Sequence, residues 1–294
     1  MPAIQAPSRI SIGNILLTTD FSSASQAAVP YAAALARLYG AKVFIAHVVS
    51  PEAHLSVPLD RLPHEADPVW QEARRDTEHF LDHSALAKVP HEEILERGEL
   101  WDVISSIIAE NEIDLLVLGT RGRQGLRKLF LGSQAEKIYR QAPCPVLTVG
   151  PRAGISGGPH QPRQILFPTD LSESSLSALP YALSLAEEND ATLALLHFIP
   201  LVPWQEQGPI AESALKRLEA LVPGEAKLWC KPEYVARFEF PVDGVLRVAE
   251  ERDADLIVMG VRQTLGTTLT THLPWTIASE VVSEAPCPVL TVRG

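Results

Sequence analysis

Short apolar runs alternate along the chain with longer amphipathic stretches, and this alternation predicts its elements. Ile15–Thr19 and Val43–Val49 are almost continuously apolar, the pattern of strands buried on both faces. Between them Ser25–Tyr39 is an Ala-rich helical stretch. Pro68–Ala87 predicts a helix with Trp70, Ala73, Thr77 and Phe80 on one face, and His91–Glu96 a weaker strand. Leu100–Asn111 predicts a helix that turns Leu100, Val103, Ile104, Ile107 and Ile108 inward. Leu115–Leu118 is a further strand, Gln134–Arg140 a helix and Val146–Val149 a last strand. Strands alternating with helices in this way imply an α/β fold, a five-stranded parallel sheet with helices on both faces.

The same pattern then repeats. Ile15-Leu-Leu-Thr-Thr-Asp20-Phe-Ser22 returns as Ile165-Leu-Phe-Pro-Thr-Asp170-Leu-Ser172, and His47 returns as His197. Asp114-Leu-Leu-Val-Leu-Gly119 returns as Asp255-Leu-Ile-Val-Met-Gly260, and Ala142–Val149 returns unchanged as Ala285–Val292. A period of roughly 145 residues is too long for a solenoid repeat and reads as a duplicated domain. Residues 1–150 form the first expected domain and 164–294 the second. The Gly/Pro-rich stretch 151–163 is the expected linker. The third strand of the second copy is expected at Glu233–Phe240.

Composition narrows the function classes. A net charge of −11 argues against a general nucleic-acid or anionic-membrane surface. No apolar run reaches the roughly 18 residues that span a bilayer, and Met1–Ser11 lacks a signal-peptide pattern, so the cytoplasm is the expected compartment. Cys144, Cys230 and Cys287 have no metal-type spacing and read as small buried residues.

Candidate chemistry concentrates after the fourth strand. Gly119-Thr-Arg-Gly122-Arg-Gln-Gly125-Leu-Arg-Lys-Leu-Phe-Leu-Gly132-Ser133 joins a buried strand to a helix start. Glycines let backbone N–H groups approach an anion, and a helix N-terminus adds unpaired donors, so the loop predicts a phosphate site. Ligands of open parallel sheets bind beyond the strands' carboxyl ends, where strand order reverses. With the doubly wound order 3-2-1-4-5, Asp20 and Gly119 stand at opposite ends of one crevice. Plainer roles compete at each position. Asp20 can cap the next helix, Ser133 can be an N-cap, and Arg121, Arg123, Arg127 and Lys128 can be a solvated face. His47 and His197 read as hydrogen-bonded core residues. The chain has no Gly-x-Gly-x-x-Gly after its first strand, no P-loop and no Gly-x-Ser-x-Gly elbow.

On these residues the chain resembles a tandem universal stress protein. That family's signature is Gly, two residues, Gly, nine residues, Gly-Ser/Thr, and Gly119, Gly122, Gly132 and Ser133 meet it. Thr19-Asp20, His47-Val48 and the terminal Pro-Cys-Pro-Val-Leu-Thr-Val also match. The resemblance implies two flavodoxin-like domains and an ATP-binding stress-response or regulatory protein, with Mg²⁺ accompanying the nucleotide. Thr19, Asp20 and Val48 would surround the adenosine. Gly119, Arg121 and Gly122 would line the ribose and phosphates, and Gly132, Ser133 and Gln134 would hold the phosphates. It also implies a dimer through the last strands, formed within one chain as a pseudo-dimer or between chains as a homodimer. No catalytic residue is assigned. The alternatives are a slow ATP-hydrolysing enzyme, a true nucleotidyl-transferring or ATP-hydrolysing enzyme that uses Asp20 or His47, and an interaction scaffold with vestigial pockets.

The second copy departs from the signature. It keeps Thr169, Asp170, Gly260 and Arg262, but Gln263 replaces the second glycine and Trp275-Thr276 replaces Gly-Ser after a loop two residues longer. Phe198 replaces Val48. A Trp where backbone must approach phosphate obstructs it, so ATP is expected in the first copy and weakly or not at all in the second.

Overall fold

The computed structural model describes residues 10–50, 67–82, 85–120, 138–153, 161–262 and 274–294. They divide into two compact units, one built on residues 11–120 and 138–151 and the other on 152–294. In the first unit β1 is Asn14–Thr18, α1 Ser23–Tyr39, β2 Lys42–Val49 and α2 Pro68–Asp82. Next come β3 (His91–Arg97), α3 (Leu100–Glu110), β4 (Leu115–Gly119) and β5 (Val146–Val149). The sheet runs β3-β2-β1-β4-β5 with every pair parallel. Ile15, Leu16, Leu17, Leu116 and Val117 are fully buried in succession, so the central strands are covered on both faces.

The second unit repeats this layout. Its strands are β6 (Gln164–Pro168), β7 (Thr192–Ile199), β8 (Lys231–Phe238), β9 (Leu256–Val261) and β10 (Val289–Arg293). Their order is β8-β7-β6-β9-β10, again all parallel. The helices are α4 (Glu173–Leu176), α5 (Leu179–Asn189), α6 (Trp204–Leu221), α7 (Pro241–Glu251) and α8 (Pro274–Glu284). The long α1 of the first unit therefore corresponds to two pieces, α4 and α5. Pro180 lacks an N–H and its ring crowds the carbonyl four residues back, at Leu176, which is where α4 ends. Pro30 occupies the same repeat position inside an unbroken α1.

Several boundaries differ from the sequence expectation by one or more residues, and two of the shifts have a physical reason. Helix α2 stops at Asp82, and Ala85–Lys88 forms a separate 3₁₀ turn that buries Leu86 beside α1. Strand β8 ends at Phe238 instead of Phe240. Phe240 is the N-cap residue of α7, because Pro241 opens that helix and holds its predecessor extended.

Each sheet is tied at its amino edge by one carboxylate. Asp114 Oδ2 accepts the N–H of Gly13 at 2.7 Å and of Asn14 at 3.0 Å, which locks the start of β1 to the start of β4. Asp255 does the same for Arg163 and Gln164 at 2.8 and 2.9 Å. Hydrogen bonds to a charged acceptor contribute about 1.5–3 kcal/mol. Asp114→Ala is therefore expected to lower stability by about 1–3 kcal/mol in urea unfolding, with the slope unchanged.

Candidate functional site

The carboxyl edge of the first sheet collects four of the nine predicted site residues. Strand β1 lies between β2 and β4, so the chain reverses direction across the sheet between β1 and β4. Thr19 and Asp20 follow β1, Val48 is near the end of β2, and Gly119 ends β4. Arg121, Gly122, Gly132, Ser133 and Gln134 lie outside the described residues.

The turn after β1 is built almost entirely from its own side chains. The Thr19 hydroxyl accepts the Phe21 N–H at 3.0 Å and donates to Ser25 Oγ at 3.1 Å. Asp20 Oδ1 accepts the Ser22 N–H at 3.0 Å, the Ser22 hydroxyl, and the Ser25 hydroxyl at 3.0 Å. Ser22 in turn is the N-cap of α1. Asp20 is thus not the cap; it braces the residue that is. Phe21 sits at φ 58°, a left-handed conformation uncommon for a bulky residue, and its ring packs 4.4 Å from His47 and 5.9 Å from Phe80. His47 Nδ1 donates to the Thr19 carbonyl at 2.8 Å; a carbonyl only accepts, so the proton is on Nδ1. His47 is therefore a brace of this turn, and His197 repeats the bond to Thr169 at 2.8 Å.

Gly119 has a packing reason of its own. A Cβ there would stand 2.0 Å from the Ala24 carbonyl oxygen, so only glycine lets the first turn of α1 rest on the end of β4. At Gly260 a Cβ would stand 2.3 Å from the Ser174 carbonyl oxygen. The first glycine of the signature is a helix-packing glycine in both units.

Sequence reasoning missed an ion pair on the same rim. Arg97, at the end of β3, pairs with Asp67, whose side chain is 1% exposed. Asp67 also accepts the Val69 N–H at 2.9 Å at the start of α2, and Arg97 stacks 5.6 Å from the Trp70 ring. The signal available was Asp67-Pro68, a helix opening. In the second unit Phe238 takes the place of Arg97.

The second unit's edge holds a cavity of about 130 Å³. Its apolar walls include Pro168, Phe198, Pro241, Val245 and Met259, and Thr169, Asp170, Ser172 and Arg262 supply polar groups. Phe198 does more than replace Val48. A Cβ on Gly244 of α7 would stand 2.2 Å from the Phe198 ring, and Gly244 occupies the repeat position of Val103. The repeat positions that hold Val48 and Val103 in the first unit hold Phe198 and Gly244 in the second. An offset of 141 residues, the one relating Gly119 to Gly260, would have revealed the second half of this exchange.

Asp170 keeps the turn chemistry of Asp20, accepting the Ser172 N–H at 2.9 Å and the Ser172 hydroxyl. Its Oδ2 faces Arg262 Nη2 at 3.7 Å. Burial pushes the Asp170 carboxyl up, but the two Ser172 bonds and the Arg262 charge outweigh it, so the group sits below its ordinary value of 3.8. A carboxyl with a depressed folded value contributes stability above its unfolded value and loses it as pH falls through the folded one. The urea-stability margin of wild type over Asp170→Asn is expected to be complete at neutral pH, to begin to fall near the ordinary carboxyl value of 3.8 and to be lost only as pH passes through the lower folded value. A margin independent of pH would contradict this assignment.

Comparison with known proteins follows the duplication. The model of the universal stress protein family matches residues 11–150 and again 162–293. A universal stress protein of Thermus aquaticus is 34% identical over 142 residues, 46% of this chain and 96% of that protein. One from Mycolicibacterium smegmatis is 26% identical over 295 residues, 95% of this chain and 96% of its own length. The solved structure of a universal stress protein from Archaeoglobus fulgidus superposes with a TM-score of 0.72 at 17% identity, covering 95% of this chain and 98% of that one, a likeness of fold. Among the described residues no helix is long and apolar enough to cross a membrane. With the family model matched twice along its length, the chain belongs to the universal stress protein family as a tandem member.

Proposed function

We propose that this protein binds an adenine nucleotide, ATP accompanied by Mg²⁺, in its first unit and acts as a nucleotide-dependent regulatory protein of the stress response. The observation that carries the reading is the convergence of Thr19, Asp20, Val48 and Gly119 on one carboxyl edge, flanking the point where strand order reverses. The group fits these residues. The described part of the edge offers an exposed carboxylate for ribose hydroxyls, with the half-buried Val48 nearby for the base. In sequence, Gly122, Gly132, Ser133 and Gln134 complete the family signature immediately after Gly119, and with Arg121 they would hold the phosphates. No three His, Cys, Asp or Glu side chains converge among the described residues, so Mg²⁺ would arrive bound to the phosphates.

The chain's residues bind and orient more than they react. No Asp, Glu or His lies between Gly119 and Ser133, and His47 is committed to the Thr19 carbonyl. Hydrolysis is therefore proposed to be slow, and the regulatory output to follow nucleotide occupancy. In the second unit Gln263 and Trp275-Thr276 stand where the signature needs Gly and Gly-Ser, and this copy is proposed not to hold nucleotide tightly.

Titration of Mg-ATP into the full chain is expected to give one site. Gly132→Trp, which gives the first unit the residue type found at 275, is expected to weaken that site at least about tenfold, about 1.4 kcal/mol. Two sites of equal affinity, or a Gly132→Trp chain that binds like wild type, would contradict the proposal.

A further inference from the structure

We propose that the cavity of the second unit is a binding site for a small neutral ligand with one hydroxylated ring, of the phenol or cyclic-alcohol class, and not a vestigial nucleotide pocket. Its size sets the first limit. An enclosed cavity of about 150 Å³ lined by apolar side chains takes up benzene; this pocket holds about 130 Å³ and is open to solvent on one side. Its walled part takes one six-membered ring, with the polar groups of the ligand left at the open side.

The walls set the second limit. Phe198 supplies an aromatic face, Val245 and Met259 aliphatic ones, and Pro168 and Pro241 rigid edges. The Phe198 ring is held in place by Gly244, where a Cβ would stand 2.2 Å away. Where the first unit has Val48 and Val103, Phe198 and Gly244 give the second unit an aromatic wall and the room to seat it.

The polar groups specify one atom of the ligand. Asp170 Oδ1 is taken up by Ser172, while Oδ2 lies 3.7 Å from Arg262 Nη2. That separation exceeds the 2.7–3.2 Å of a direct hydrogen bond. Both side chains are more than half exposed, at 62% and 54%. An atom that donates to Asp170 and accepts from Arg262 satisfies both, and a hydroxyl oxygen is the group that does so. Asp170 and Arg262 together carry no net charge, so the pair draws in neither an anion nor an ammonium over a neutral group. The inference stands apart from nucleotide binding in the first unit, because every residue it uses belongs to the second.

The probe is 4-fluorophenol, observed by ¹⁹F NMR on the full chain. A saturable shift is expected, at least tenfold weaker in Asp170→Asn, a surface substitution that leaves the apolar walls intact. Gly244→Val, which removes the seat of Phe198, is expected to abolish the shift, with its melting curve recorded alongside. Saturating Mg-ATP is expected to leave the probe bound. The proposal is overturned if 4-fluorophenol gives no saturable shift, if fluorobenzene binds as tightly, or if Mg-ATP displaces the probe. None of those results would alter the count of ATP sites except the last, which would place a nucleotide in the second unit.

Discussion

Helix α1 begins on bare backbone, and the candidate site depends on that contact. With a hydrogen at residue 119 in place of a side chain, the Ala24 carbonyl settles against the end of β4, and Gly260 repeats the arrangement with Ser174. The helix start is thereby pinned across the strand ends where sheet order reverses. The chain leaving β1 must then turn sharply to reach it. That turn puts Phe21 and Leu171 at φ 58° and 66°, and Thr19, Asp20, His47 and their counterparts supply the hydrogen bonds that hold it. A carboxylate at the end of β1 is thus fixed by neighbours before any ligand arrives, which is the preorganisation that binding sites require.

The duplication separates what the fold needs from what a particular ligand needs. Both units keep the packing glycine, the threonine-aspartate turn, the histidine brace and the amino-edge carboxylate. These residues share one property, that they bond or pack within the unit itself. What differs lies on the walls of the crevice. Val48 and Val103 become Phe198 and Gly244, and the Arg97–Asp67 pair on the rim gives way to Phe238. One fold thereby carries two differently shaped edges.

Much of this was legible in the sequence because it rests on local patterns. Consecutive apolar residues in β1 and β4 announced strands covered on both faces, and the repeat itself fixed the expectation of two similar sheets. The role of His47 was also readable, since a histidine in a buried strand needs a partner. Other features were not readable because they depend on contacts distant in sequence. Nothing near residue 119 indicates that its glycine serves a helix beginning almost a hundred residues earlier. Gly244 is an unremarked helix residue until the Phe198 ring is seen against it. The 3₁₀ turn at Ala85–Lys88 follows from burying Leu86, a tertiary demand that helical periodicity does not encode.

The central claim is that one family fold, used twice, presents a nucleotide site in one unit and a different site in the other. Photolabelling of the full chain with an azido-adenine analogue of ATP, followed by peptide mapping, tests it most directly. The account predicts label confined to peptides within residues 11–150 and suppressed by excess ATP. Equal, ATP-protected labelling of peptides within 162–293 would contradict it.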